Sequence, residues 1–226
     1  ALKYNCLTDE LAPENADLFW YHGGDGRFDG QEQFWRKHSI PLIKTIDSFP
    51  ADAPKTGWGI GDKTFFQFAA GDLTARRRHL DYQFTLGMML SVTNHIPWDL
   101  PHDFSGPVTV SEPSFLTTSY TDQGVGVLEK ALKESGDWES TLIFIASDHG
   151  NKSIPYGTLY EGKKNQMQLL QSHINLIVTG GIAEAAKADN PGSEKTRFDH
   201  FVGQADIAST LARITGRTRF KTMGKD

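Results

Sequence analysis

The apolar and polar positions of this chain fall into strand-like and helix-like stretches that follow one another. Residues 17–21, Asp-Leu-Phe-Trp-Tyr, form a short apolar run that predicts a strand, and His22-Gly23-Gly24-Asp25 follows it as a turn. A short helix is predicted over 31–38, closed by Pro41. A longer one is predicted over 62–77, with Asp62 in the capping position and Phe65, Phe66, Phe68 and Ala69 on its apolar side. Residues 83–92 predict a second strand, and Thr93-Asn94-His95-Ile96-Pro97-Trp98 comes after it. Pro101, Pro107 and Pro113 break up 101–115, which reads as loop. Val125, Leu128 and Leu132, at spacings of three and four, predict a helix over 119–135 that Gly136 stops. The run 141–147, Thr-Leu-Ile-Phe-Ile-Ala-Ser, predicts a buried strand that ends at Asp148-His149-Gly150. A loop over 153–162, a short helix over 163–171 and a strand over 174–179 are predicted next, and 183–197 reads as exposed. Asp206 caps a last helix whose apolar stripe is Ile207, Leu211 and Ile214, with Gly216 closing it.

Strands alternating with helices imply an α/β fold: a mostly parallel sheet sandwiched by helices. In such folds ligands gather at the carboxyl ends of the strands. Three of the predicted strand-end turns carry a histidine or a carboxylate: 22–25, 94–95 and 148–149. Parallel strands would deliver all three to one edge of the sheet.

Composition narrows the partners. The chain has 226 residues, 38% hydrophobic and 23% charged, enough for one large globular domain with a real core. A formal net charge of −5 argues against a nucleic-acid partner. Cys6 is the sole cysteine, which excludes a disulfide framework and a cysteine-based zinc site. No apolar run reaches the length of a membrane span, and the first residues do not read as a signal peptide. Both ends look cut, so the expectation is a domain excised from a longer protein, truncated at both ends.

Asp148 and His149 are both good ligands for a divalent metal. Neighbouring residues on an extended chain point to opposite sides, so both reach one ion only where the chain bends, as Gly150 permits. Two ligands are too few for a tight site, and others must come from elsewhere. At the other strand end, Pro97 stiffens the turn and Trp98 offers a flat apolar wall. His95 could contact a phosphate or sulfate oxygen or donate a proton; the alternative is a histidine that stabilises its own turn. His22 and Asp25 flank two glycines that lack a nucleotide-binding spacing, so a tight turn with Asp25 on backbone amides is expected. His173 begins a strand and reads as packing. His38, His79, His102 and His200 read as solvent-exposed, and Arg76-Arg77-Arg78 as a solvated helix end. No residue presents itself as a nucleophile: Thr93 is weak, Cys6 lacks a reactive context, and no Gly-x-Ser-x-Gly elbow occurs.

Taken in order, three segments resemble the alkaline phosphatase/sulfatase superfamily, and within it the lipoteichoic acid synthase-like branch. They are Phe19-Trp20-Tyr21-His22-Gly23-Gly24-Asp25 with Arg27-Phe28-Asp29; Ser91-Val92-Thr93-Asn94-His95-Ile96-Pro97-Trp98; and Ser119-Tyr120-Thr121-Asp122 with its helix, running into 143–150. Gln204 to Leu211 also resembles a helix start common in sulfatases. The resemblance spans nearly the whole chain. It implies a metal-dependent phosphotransferase or sulfuric ester hydrolase acting on a phospholipid or envelope glycan. The metal is expected to be Mn2+, with Mg2+ or Zn2+ as alternatives, and Asp148 and His149 would be its ligands. His95 would contact the phosphate or assist the leaving group, beside Asn94 and Trp98. Asp29 to Gln31 would line the substrate pocket, but this stretch lacks the Trp and Arg of the lipoteichoic acid enzymes, which puts a glycerol-phosphate substrate in doubt. The family's glutamate ligand and threonine nucleophile are not found here. The chain is therefore expected to be the C-terminal portion of an extracytoplasmic catalytic domain, inactive alone, whose parent is anchored in the membrane through an upstream region. Rival readings are a sulfatase, a phosphoethanolamine transferase, a non-catalytic module that binds the envelope, and a cytosolic phosphomutase-like enzyme of the same superfamily, which would carry more metal-ligating His and Asp residues than can be placed here.

Overall fold

The computed structural model describes residues 5–77, 81–106, 112–150, 174–189, 202–217, 219–222 and 224. The chain divides into two compact units, Ala1–Gly136 and Asp137–Asp226.

The first unit runs α1 (Leu7–Leu11), β1 (Ala16–His22), α2 (Gln31–Lys37), β2 (Leu42–Lys44), β3 (Lys55–Thr56), β4 (Gly59–Ile60), α3 (Asp62–Arg77), β5 (Phe84–Leu90) and α4 (Pro113–Ser135). Its sheet has the order β2-β1-β5, with both neighbours parallel to β1. The parallel sheet is as expected. The short strand β2 and the β3–β4 hairpin are additions that no periodicity announced. Central β1 is buried on both faces, with Leu18, Phe19, Trp20 and Tyr21 all enclosed. That is why it reads as an unbroken apolar run rather than an alternating one. Phe19 pairs with Gly87 across the sheet, and its ring fills the space over that glycine: a Cβ at 87 would lie 1.9 Å from the ring.

Helix α3 turns the predicted face inward. Phe65, Phe66 and Ala69 join Phe19, Tyr21, Phe49, Ile60 and Leu128 in the core, with Phe68 packed at its margin. Truncating a fully enclosed phenylalanine such as Phe65 costs about 3–5 kcal/mol. Helices α3 and α4 approach closely where Gly124 faces α3, since a Cβ there would sit 2.7 Å from the Phe66 ring. Helix α4 starts at Pro113 rather than 119, so 113–115 is helix and not loop. Proline suits a first helical turn, whose amides lack partners anyway. Gly136 ends the helix in the left-handed conformation, φ 79°, as predicted.

The last turn of α3 also corrects an expectation. Arg76 is not a solvated helix end. It pairs with Asp17 of β1 and, through Nε at 2.8 Å, with Asp72, and its guanidinium lies 4.8 Å from the centre of the Phe19 ring. Asp72 also takes Lys44 Nζ at 2.5 Å and the Tyr21 hydroxyl. Charged groups from β1, β2 and α3 thus neutralise one another at the edge of the core.

The second unit contains β6 (Ile143–Ala146), β7 (Leu176–Thr179), α5 (Gly181–Ala188) and α6 (Gln204–Ile214). Strands β6 and β7 pair antiparallel, Ile143 opposite Thr179 and Ala146 opposite Leu176. The expectation that these two strands would run parallel is therefore corrected. The 141–147 strand is also shorter and less enclosed than predicted: 143–145 are half-buried and Ala146 is exposed. The exposed stretch from 183 proves helical as far as Ala188. In α6 the carboxylate of Asp206 accepts the Gly203 amide at 2.6 Å, tying down the helix start from its third residue. Its buried positions are Ser209 and Ala212, while Ile214 of the predicted stripe is exposed. The loop over 153–162, the helix over 163–171, His79, His173 and His200 lie outside the described residues.

Candidate functional site

In the first unit the 22–25 turn follows β1 and the 93–98 loop follows β5, and the two strands are parallel neighbours. Both turns therefore emerge at the same edge of the sheet. A cavity of about 50 Å³ lined by Asp17, Arg76, Arg77, Tyr82 and Thr85 lies at the other edge, where these strands begin.

The 93–98 loop is heavily bonded. The Trp98 amide donates to the His95 carbonyl at 2.7 Å, and His95 Nδ1 lies 2.8 Å from the Ile96 carbonyl. A carbonyl can only accept, so Nδ1 carries the proton and Nε2 is left for an outside group. Asn94 is exposed, and its side-chain oxygen accepts from the Thr117 hydroxyl of α4 at 2.8 Å. Thr93 is enclosed, 1% exposed, and its Oγ1 accepts the Asp62 amide at 2.9 Å. This hydroxyl is in no position to attack a substrate.

Asp62 does not cap its own helix as predicted. Its Oδ1 accepts the amides of Val92 and Thr93, each at 3.0 Å, and its Oδ2 accepts the Thr121 hydroxyl at 2.6 Å.

A third element completes this edge. The β3–β4 hairpin packs on the 22–25 turn, with the Ile60 amide donating to the Gly23 carbonyl at 2.8 Å. Gly59 makes the contact possible. Its φ is 152°, and a Cβ there would fall 2.2 Å from the Gly23 oxygen. The hairpin carries Trp58, whose indole N–H donates to the Ile96 carbonyl at 2.7 Å and whose ring centre is 4.1 Å from that of His95. Phe28 meets Trp58 edge-on at 6.0 Å, and both remain substantially exposed. Asp29, at φ 50°, is exposed in the turn beside Phe28, and half-buried Gln31 opens α2. Of the residues predicted for this edge, Asn94, His95 and half-buried Trp98 share one loop, and Asp29 neighbours it through Phe28 and Trp58.

His22 is enclosed, stacked on Trp20, with Nδ1 3.2 Å from the Leu90 carbonyl. Burial lowers its pKa and keeps the ring neutral. Asp25 accepts the Arg27 amide at 2.9 Å, the backbone bond expected of this turn. Hydrogen bonds from the Arg27 side chain and amide hold its carboxyl down at about 2. His38 departs from expectation: it is 8% exposed rather than solvated, because Asp9 Oδ2 binds its Nδ1 at 2.8 Å. Cys6, Asp9 and His38 are the one trio among the described residues whose ligating atoms could hold a metal ion. The Asp9 carboxylate is already committed to the Cys6 amide, His38 and Ser39. Burial, with Asp9 nearby, raises the pKa of the Cys6 thiol and keeps it protonated.

In the second unit the chain bends at Asp148 and His149 directly after β6. Asp148 Oδ2 and His149 Nε2 come within 3.5 Å, with both side chains at least half exposed. The bend is held locally: Asp148 Oδ1 accepts the His149 amide at 2.8 Å, and Gln204 Nε2 of α6 donates to the Ser147 carbonyl at 2.6 Å. A carboxylate and an imidazole turned to the same side fit two positions around one divalent ion.

Sequence reasoning missed Trp58, Thr117 and Thr121 and gave Asp62 the wrong partners. Glycines on both sides of an exposed-type tryptophan, Gly57-Trp58-Gly59, were a usable signal. Thr121 stands in a segment that carries the family resemblance, but nothing local marks the bonding role of either threonine, whose partners lie 23 and 59 residues away.

The chain as a whole is similar to several known proteins. A family model for the sulfatases matches residues 14–217. Lipoteichoic acid synthase of Staphylococcus saprophyticus is 27% identical over 85% of this chain, which spans 31% of that protein. A solved structure of a protein in the alkaline phosphatase superfamily from Vibrio parahaemolyticus superposes with a TM-score of 0.70 at 18% identity, covering 93% of this chain and 47% of the other. The lipoteichoic acid synthase LtaP from Listeria monocytogenes gives 0.57 at 18% identity over 74% of this chain and 41% of its own. The chain thus spans about a third of the curated relative and under half of these two solved chains.

Proposed function

Because this chain belongs to the sulfatase family, in the lipoteichoic acid synthase-like branch of the alkaline phosphatase superfamily, we propose that it forms part of a metal-dependent transferase or hydrolase. Its substrate would be a phosphate or sulfate ester of an envelope lipid or glycan, handled outside the cytoplasmic membrane. The observation that carries the reading is the approach of Asp148 Oδ2 to His149 Nε2, 3.5 Å, on a strand-end bend. These two residues would hold a divalent ion, Mn2+ by preference over Mg2+ or Zn2+. Once bound, such an ion supplies Lewis acidity toward an ester oxygen and activates a hydroxyl nucleophile.

The remaining roles belong to the chain's own groups. With Nδ1 engaged by the Ile96 carbonyl, His95 would offer Nε2 to an ester oxygen. From there it stabilises charge on an oxygen or passes a proton to the leaving group. Asn94, whose side-chain carbonyl Thr117 holds, would offer its amide N–H to such an oxygen. Trp98 walls the loop, and Asp29 and Gln31 line the approach. Thr93, enclosed and bonded, is not the nucleophile in this reading, and we propose that the chain by itself is inactive.

Calorimetric titration of Mn2+ into the chain tests the metal assignment. Heat of binding is expected from the unaltered chain and is lost on Asp148→Ala and on His149→Ala. Undiminished binding by both variants would sink it.

A further inference from the structure

We infer that Asp62 is a positioning residue that presets the loop bearing Asn94 and His95. The inference rests on the reading of His95 as an oxyanion contact and adds the device that holds it in place. A carboxylate opening a helix ordinarily serves the amides of its own first turn. Asp62 instead reaches across to the amides of Val92 and Thr93, consecutive residues just before Asn94, with one oxygen at 3.0 Å from each. Two consecutive amides on one oxygen fix the intervening peptide plane, and with it the direction in which the chain leaves β5. The Asp62 amide returns the contact by donating to Thr93 Oγ1 at 2.9 Å.

The second carboxylate oxygen extends the clasp to α4, where Thr121 donates to it at 2.6 Å. One turn earlier on that helix, Thr117 holds the Asn94 side chain at 2.8 Å. Gly124, one turn later, lets the backbone of α4 close on Asp62 itself, since a Cβ there would lie 2.9 Å from the Asp62 carbonyl oxygen. One face of α4 therefore fits both the clasp and the residue it presents. Asp62 is wholly enclosed, and among the described residues its partners are neutral amides and a hydroxyl rather than a cation. Burying a carboxylate is costly unless its oxygens are well bonded. Here every bond it makes serves the start of the His95 loop or the helix beneath it. Geometry rather than charge is what the residue contributes, because an asparagine oxygen could still accept both amides.

The test uses the full chain, inorganic phosphate as probe, and His95 imidazole resonances as readout, with thermal melting measured in parallel. Phosphate should shift the His95 resonances of the unaltered chain. Asp62→Ala should weaken phosphate binding about tenfold, and Asp62→Asn should restore it to within about threefold of the unaltered chain. Thr121→Val, which leaves Asp62 in place, should weaken binding about threefold and keeps the question open to measurement if Asp62→Ala does not fold. Adding Asp62→Ala or Thr121→Val to His95→Ala should produce no further loss, because both act through the same loop. Native-like phosphate binding by the Asp62 and Thr121 variants, or full additivity with His95→Ala, would overturn the positioning role and leave the reading of His95 standing. Phosphate binding that bypasses His95 altogether would remove that reading and the inference with it.

Discussion

Asp72 takes hydrogen bonds from Lys44, Tyr21 and Arg76. Burial pushes its carboxyl pKa up, and these three donors more than offset that, leaving it below the ordinary value. A depressed carboxyl pKa means that the native state binds fewer protons than the unfolded one in acid. The stabilisation is then complete above the unfolded value of about 4 and fades as pH falls through the native one. Asp72→Asn should lower stability near neutrality and flatten the acid limb below about pH 4 in melting measured against pH. An unchanged acid limb would mean that this carboxylate is not a folding-linked group. At this scale the legibility of the sequence depended on distance. Asp148 with His149 and Asn94 with His95 could be picked out because each pair is contiguous at a strand end. His38 and Arg76 were misread because Asp9 and Asp17, which enclose and pair them, lie 29 and 59 residues away. A histidine or arginine with an unseen partner reads as solvated.

The two helices of the first unit allow a paired test on one element. Gly124→Ala would push a methyl to 2.7 Å from the Phe66 ring and 2.9 Å from the Asp62 carbonyl oxygen. Such overpacking against backbone costs about 1–3 kcal/mol. Gly126→Ala, two residues on, meets nothing within 4 Å and gains helix propensity of about 0.5–1 kcal/mol. Melting temperatures should therefore move in opposite directions, down for Gly124→Ala and up for Gly126→Ala, and a shared direction would refute the close approach of α3 and α4. Elements were legible wherever a period or a stop signal was strong, as in α3, in α4 with Gly136, and in the strands β1 and β5. The β3–β4 hairpin was not, because two-residue strands carry no period. The direction of β7 was not either, since a four-residue apolar run looks the same whether its neighbour runs with it or against it.

For the molecule as a whole, the division into Ala1–Gly136 and Asp137–Asp226 separates Asn94 and His95 from Asp148 and His149 along the chain. If Asp148 and His149 hold the ion as proposed, two ligands make a weak site, so Mn2+ should bind this chain loosely and a chain extended to the length of its relatives much more tightly. Comparative calorimetry on the two lengths decides this, and equal tight binding would show that the ligand set is already complete here. The α/β class and the superfamily were legible in the order of short motifs at strand ends, and a sulfatase family model matches residues 14–217. What could not be read was how the strands are matched to one another. The Phe19 ring lying over Gly87 bears on that matching. Slide β5 by two places and the ring meets Thr85 or Met89 instead of an empty berth. The sheet thus proofreads its own assembly: misaligned pairings are rejected by a single aromatic plate, and the strand that launches the His95 loop comes to rest at the same height each time the chain folds.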